Sequence, residues 1–381
     1  MSEKDTGSRP VTPPTGATRD FDLESYLSHG VADIVRQIVS TTRDDPRETR
    51  FALHFSAAAA KAEKVRARSE RQGRHVPPFL ICSVTDQCNL HCAGCYAWAN
   101  HICEKGDGHG QLPVGRWDSI FSEAHDLGIS FALLAGGEPC MRTEVLKAAG
   151  THADMLFPVF TNGTLMDETR LDLFDAHRNL VPVLSIEGDE ATTNGRRGAG
   201  VHARLMQAMA ELSSRRLLFG ASITVTSENI EQILSADLVG DLADRGVRAL
   251  VYVEYVPFDT SPDLALDDAG RTRLARGVEQ VRATDHGLLA ISFPGDEAAS
   301  GGCLAAGRGF CHINSHGGVE PCPFSPFSDT SLAEVTLAEA LDSPLFRRLR
   351  ERGLLAGEHA GGCTLFDRED EVRAALVEAD V

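Results

Sequence analysis

The sequence has no apolar run near the ~20 residues that a membrane-spanning helix requires. Its first residues, Met1-Ser2-Glu3-Lys4-Asp5-Thr6-Gly7-Ser8, lack the apolar stretch of a signal peptide. Basic charge is scarce: 37 Lys and Arg stand against 55 Asp and Glu, for a net charge of −18. Nucleic-acid binding depends on neutralising phosphates with cations, so this balance excludes a general nucleic-acid binder. The one basic stretch, Lys61 to Arg74, is interrupted by Glu63 and Glu70 and reads as a solvated helix face. No internal repeat is visible. These absences lead to the expectation of a cytoplasmic chain with no membrane or nucleic-acid partner. Thiols stay reduced in that compartment, so the 10 cysteines point to metal or catalytic roles and not to a disulfide framework.

What is present is a chain of 381 residues, 42% hydrophobic, enough for a barrel domain of about 200–250 residues with smaller pieces around it. Residues 1–19 are polar and rich in Pro, Thr and Gly, and read as a disordered tail. Over 20–76 the pattern is helical. Leu23, Leu27, Val31, Ile34, Val35 and Ile38 share one face, and a second helix is predicted over 46–72. From Pro77 short apolar runs alternate with helical stretches. Strands are predicted at 79–84, 129–135, 155–160, 182–186, 219–225 and 249–255, with helices at 113–127, 201–213 and 229–245 between them. This alternation predicts an α/β fold with a parallel sheet and right-handed crossovers, curled into a partial (β/α)6 barrel of the TIM type over 77–256. In such a barrel the site lies at the strand C-termini. Residues 257–381 differ. After a helix at 267–284 and a strand at 288–293, Gly and Cys become frequent, which suggests a small cysteine-rich domain.

The stretch Cys88-Asn89-Leu90-His91-Cys92-Ala93-Gly94-Cys95 follows the first strand and so falls at the barrel mouth. Thiolates are soft ligands, and three on one loop can hold three corners of a four-iron cluster, leaving the fourth iron open to a substrate or cofactor. By itself the spacing also suits half of a zinc site. Three further segments sit at predicted strand ends: Gly136-Gly137-Glu138-Pro139, Thr161-Asn162-Gly163-Thr164 and Ser185-Ile186-Glu187-Gly188.

With these motifs in this order, the chain resembles the radical S-adenosylmethionine (SAM) superfamily, and the zinc reading falls away. The resemblance covers about 77–256 as a barrel. It implies a [4Fe-4S] cluster on Cys88, Cys92 and Cys95 whose open iron takes SAM through its amino and carboxylate groups. One electron then cleaves the S–C5′ bond, and the resulting 5′-deoxyadenosyl radical takes a hydrogen from the substrate. It also implies SAM contacts from the backbone of Gly136 and Gly137, with Glu138 supporting the turn, and from Ser185, Glu187, Asn162 and Tyr96. Strand-end capping and turn formation are the alternative roles for Ser185, Glu187 and Asn162. In much of the family an aromatic residue precedes the third cysteine and packs near the adenine. Here that residue is Gly94, so the packing is expected from Tyr96 or Trp98.

Cys303, Cys311, Cys322 and Cys363 lie in the C-terminal piece. The order Cys303, Gly317, Cys322 is similar to the opening of the SPASM or twitch extension of peptide-modifying radical SAM enzymes, which implies an auxiliary four-iron cluster on these four thiols. A zinc site and structural thiols are the alternatives. Cys82 reads as a core residue and Cys103 has no clear role. Cys140, Glu254 and Tyr255 are weak catalytic candidates, each with packing or strand-end solvation as its alternative. Expected partners are SAM, a reductant such as flavodoxin or ferredoxin, and a small molecule or peptide as substrate. A maturase of a ribosomally made peptide and a non-catalytic electron carrier are the alternative functions. The lack of further closely spaced cysteines and of a peptide-recognition domain tilts towards a small molecule.

Overall fold

A computed structural model describes residues 46–103, 108–258, 261–284, 287–356 and 362–377. The polar tail at 1–19 and the helix expected around Leu23 to Ile38 lie outside the described residues. The elements are α1 (Pro46–Arg71), β1 (Phe79–Thr85), α2 (Tyr96–Ala99), α3 (Val114–Leu127), β2 (Phe131–Gly136), α4 (Thr143–Thr151), β3 (Phe157–Thr161), α5 (Glu168–Ala176), β4 (Leu180–Ser185), α6 (Glu190–Arg197), α7 (Val201–Ser214) and β5 (Gly220–Val225). There follow α8 (Ile230–Ile233), α9 (Ala236–Asp244), β6 (Ala249–Glu254), α10 (Asp268–Ala283), β7 (Leu289–Phe293), β8 (Phe310–Ile313), β9 (Val319–Glu320), α11 (Leu337–Ala340), α12 (Pro344–Glu351), α13 (Thr364–Asp367) and α14 (Glu369–Val377).

The strands form one sheet in the order β7-β6-β5-β4-β3-β2-β1-β8-β9. All neighbours are parallel except β8 and β9. The edge strands do not pair with each other, so the structure is an open, partial barrel. The six predicted strands are all present. Strands with long apolar runs, such as Phe79–Thr85, are covered on both faces, as parallel sheets require.

Two departures concern the C-terminal region. Strand β7 pairs with β6, and β8 pairs with β1 in the register Phe79↔Phe310, so this region extends the sheet at both ends. The core is accordingly continuous across residue 256. A polar chain secures β8. Ser83 Oγ lies 2.7 Å from His312 Nε2, and His312 Nδ1 lies 2.6 Å from Glu320 Oε2 on β9. The helix expected over 229–245 is divided into α8 and α9. Ser235 causes the break: it takes an extended conformation and its side chain accepts from the Leu238 N–H, starting a new helix.

Helix α3 buries Trp117, Ile120, Phe121 and Ala124 on one face and ends at Gly128 in the left-handed region. A Cβ on Gly128 would lie 2.5 Å from the Ala62 carbonyl of α1, so glycine is needed for that close approach. Helix α1 closes the opposite end of the barrel from the cysteine loop. Its Phe55 packs with Leu156 and Val181, near the N-terminal ends of β3 and β4. Glu48 of α1 is 1% exposed and meets Arg178 at 2.6 Å. Removing the cation facing a buried carboxylate costs about 3–5 kcal/mol. Arg178→Ala should therefore lower the unfolding free energy measured by urea denaturation by an amount in that range, and adding Glu48→Ala should restore part of the loss.

Candidate active site

The cysteine loop leaves β1 at its C-terminal end and is held from three sides. Ala93 N–H donates to the Arg196 carbonyl at the end of α6 (2.9 Å). Asn89 Nδ2 donates to Thr164 Oγ1 (2.8 Å), and Asn162 Nδ2 donates to Asn89 Oδ1 (2.9 Å). Within the loop, the Trp98 indole donates to the Leu90 carbonyl (3.1 Å) and its ring lies 4.1 Å from that of His91. Cys88, Cys92 and Cys95 are free and partly buried. Desolvation pushes the Cys88 thiol up to about 12 and raises Cys92, against the pull of Arg197 and Arg196. Burial thus disfavours the free thiolates of Cys88 and Cys92, and a bound metal would stabilise them. Among the described residues no group of three or more His, Cys, Asp or Glu converges on a single-ion site. The donor set and setting of the loop fit an iron–sulfur cluster.

The Gly136-Gly137-Glu138-Pro139 turn is pressed against the start of this loop. Gly136 has φ +129°, and a Cβ there would lie 2.3 Å from the Thr85 carbonyl; one on Gly137 would lie 2.1 Å from that of Gln87. Both positions require glycine. Gly137 N–H donates to Thr85 O (2.8 Å) and Glu138 N–H to Gln87 O (2.7 Å). The Glu138 carboxylate, 1% exposed, accepts from Cys140 N–H (3.0 Å), Thr161 Oγ1 (2.7 Å) and Asn162 N–H (2.7 Å). These bonds tie the turn to the end of β3.

Other expected site residues are committed differently. The Asn162 side chain holds Asn89 and accepts from Thr164 N–H (3.0 Å), so it shapes the loop. Glu187 is fully buried and absent from the cavity wall. Its Oε1 meets Arg196 Nη1 and Arg197 Nε, both at 2.7 Å, and its Oε2 accepts from Thr224 N–H (3.0 Å). The groups presented to the cavity are instead Arg196 and Arg197. Sequence reasoning missed these two; the adjacent arginines in the last turn of α6, before Gly198, were the available signal. Ser185 does line the cavity and lies 3.2 Å from Ser222 Oγ. Tyr96 lines it too, with its hydroxyl towards Ser83 and its ring edge-on to Phe324 at 5.5 Å.

The aromatic ring that lies against Gly94 is that of Tyr255, which follows β6. A Cβ on Gly94 would lie 2.7 Å from the Tyr255 ring. Of the other catalytic candidates, Cys140 is fully buried beneath the turn, outside the cavity wall, and burial raises its thiol far above the usual range. Its alternative role in packing is the one this placement fits. Glu254 is 2% exposed, pairs with Arg271 Nε (2.8 Å) and accepts from Gly362 N–H (3.0 Å). It clamps the segment leading into Cys363.

The cavity inside the barrel has a volume of about 740 Å3 and mostly apolar walls. Cys92 and Cys95 form one part of its wall; Glu297, Leu304 and Phe324 form another. Behind that second wall, Cys303, Cys322 and Cys363 act electrostatically on one another. Cys311 does not join them. It sits in β8 in register with Leu80, fully buried, and the thiol that feels it is Cys82. Strand pairing turns it into the sheet, which corrects its expected place in the ligand set. Glu297 had no sequence signal. Burial pushes its carboxyl up to about 8 despite the Leu304 amide, the Cys303 thiol and Arg308 nearby.

A family model described as the Radical SAM superfamily matches residues 82–237. The AdoMet-dependent heme synthase of Methanosarcina barkeri is 25% identical over 74% of this chain and 88% of its own length. The PqqA peptide cyclase of Gluconobacter oxydans is 23% identical over 72% of this chain and 79% of its own. Among solved structures, Streptococcus suis SuiB bound to S-adenosylmethionine superposes with a TM-score of 0.63 at 19% identity, covering 80% of this chain and 77% of that one. No described helix is long and apolar enough to cross a membrane.

Gly94 combines a positive φ of +64° with the Tyr255 ring against it. A side chain in the left-handed region costs about 1–2 kcal/mol, and the clash adds to this. Gly94→Ala should lower stability measurably in denaturant melts. The loss should be smaller when Tyr255→Ala is already present; simple additivity in this double-mutant cycle would show that the two residues do not touch.

Proposed function

We propose that this chain, a radical SAM enzyme by its likeness to that superfamily, abstracts hydrogen from an apolar portion of a small organic substrate held inside the barrel. The cavity carries this reading: about 740 Å3 of mostly apolar space beside the cysteine loop, within the usual size of small-molecule sites. Cys88, Cys92 and Cys95 hold the [4Fe-4S] cluster. When bound, the reduced cluster supplies the electron that splits SAM into methionine and a 5′-deoxyadenosyl radical.

The protein's own residues orient and enclose. Arg196 and Arg197, aimed by Glu187, present guanidinium groups beside Cys92 and suit the SAM carboxylate. Gly136 and Gly137 let the backbone approach the ligand at the cavity wall. Tyr255, packed on Gly94, supplies the aromatic surface for the adenine. Ser185 and Ser222 offer hydroxyls to the ribose. The apolar walls keep water away from a reactive radical. A reductant such as flavodoxin or ferredoxin delivers the electron.

Three C-terminal thiols, Cys303, Cys322 and Cys363, hold an auxiliary four-iron cluster behind the cavity wall. The likeness to PqqA peptide cyclase favours a second reading, in which one side chain of a peptide enters the same cavity. An electron carrier would need neither the cavity nor the arginines beside the loop.

Anaerobic reconstitution should yield about eight irons per chain, for two clusters. Replacing Cys88, Cys92 and Cys95 together with Ala should abolish 5′-deoxyadenosine formation from SAM under reduction. Cleavage that survives this replacement would overturn the assignment of the loop.

A further inference from the structure

A four-iron cluster takes four protein ligands when fully coordinated. The C-terminal region brings only three thiols together, because Cys311 is held in β8 facing Cys82. The group that stands with the three is Glu297. It lies on the short 3-10 turn Gly295–Ser300 that follows β7, and it is 2% exposed. Its carboxylate faces the Cys303 thiol and acts on Cys322 and Cys363 as well. Its Oε1 is buried with no hydrogen-bond partner.

A buried, unpartnered carboxylate oxygen costs about 1–3 kcal/mol or more, and folded proteins seldom keep one without a use for it. The nearest cation does not satisfy it. Arg308 donates to the carbonyls of Cys303 and Ser300, and no ion pair with Glu297 forms among the described residues. Three thiols and one buried carboxylate oxygen without a hydrogen-bond partner thus stand near one another.

Resting on the reading that an auxiliary cluster binds Cys303, Cys322 and Cys363, we propose that Glu297 is its fourth ligand. Two consequences follow from the donor type and place. Oxygen is a harder donor than thiolate and suits cluster iron less well, so this corner is the more readily exchanged. Glu297 also forms part of the cavity wall, so the exchangeable corner is the one that faces the substrate space. A cysteine at this position would produce a sealed, all-thiolate cluster.

The test uses the full chain carrying Cys88→Ala, Cys92→Ala and Cys95→Ala, reconstituted anaerobically with iron and sulfide, so that only the auxiliary cluster remains. This protein should hold about four irons. In this background Cys311→Ala should leave the iron content and the electron paramagnetic resonance (EPR) spectrum of the reduced cluster unchanged. Glu297→Ala and the isosteric Glu297→Gln should shift the g-values, and Glu297→Cys should retain the iron with a lower midpoint potential. An unchanged spectrum and potential in Glu297→Ala would remove Glu297 from the ligand set while leaving the cluster assigned. Loss of iron in Cys311→Ala would restore Cys311 in its place. Absence of iron from the parent protein, with about four irons in the wild type, would refute the auxiliary cluster itself and the ligand with it.

Discussion

The Glu138 carboxylate holds the mouth of the barrel together. It accepts from Cys140, Thr161 and Asn162 while buried beneath the turn that follows β2. Burial penalises its charge and raises its carboxyl above the ordinary value, and these donors offset only part of that penalty. Through Asn162 the connection continues to Asn89, inside the cysteine loop. The glycines before Glu138 allow the turn to lie against Thr85 and Gln87, which lead into the same loop. The position of the cysteines thus depends on a polar core beneath them as much as on the strand they follow.

The same device recurs at alternate strands. Glu187 follows β4 and Glu254 ends β6, and each is almost fully buried. Glu187 aims Arg196 and Arg197 and ties down Thr224; Glu254 joins Arg271 to the segment before Cys363. A buried charge is tolerated only when paired and hydrogen-bonded, and each of these carboxylates satisfies that condition inside the fold. Glu187 aims the arginines that face the cavity from outside its wall, whereas Glu254 lies in that wall with its charge already paired to Arg271. The contrast with Glu297, whose Oε1 lacks a partner, gives that residue its interest.

Much of this was legible in the sequence, for local reasons. Parallel strands buried on both faces write themselves as continuous apolar runs, so β1 to β6 were visible. The cysteine triplet and the Gly-Gly pair are sequence-local, because a loop and a tight turn are built from neighbouring residues. The failures share a physical cause: they depend on which distant residue arrives at a given point. Tyr255 reaches Gly94 only because β6 ends beside the loop. Cys311 resembled a ligand by its proximity to Cys303 and Cys322 in the chain, yet the pairing of β8 with β1 turns it towards Cys82.

The sequence by itself determined the chemistry on offer: three thiols on one loop, glycines where backbone must come close, and an alternation of strand and helix that yields a partial barrel. Only the tertiary structure decided which polar groups face the cavity and which are consumed in holding it. A strand-end carboxylate reads the same in the chain whether it meets a substrate or an arginine. The difference lies in burial and in partners contributed by other strands and helices, as with Glu187 and the arginines of α6, and those partners come together only when the sheet forms.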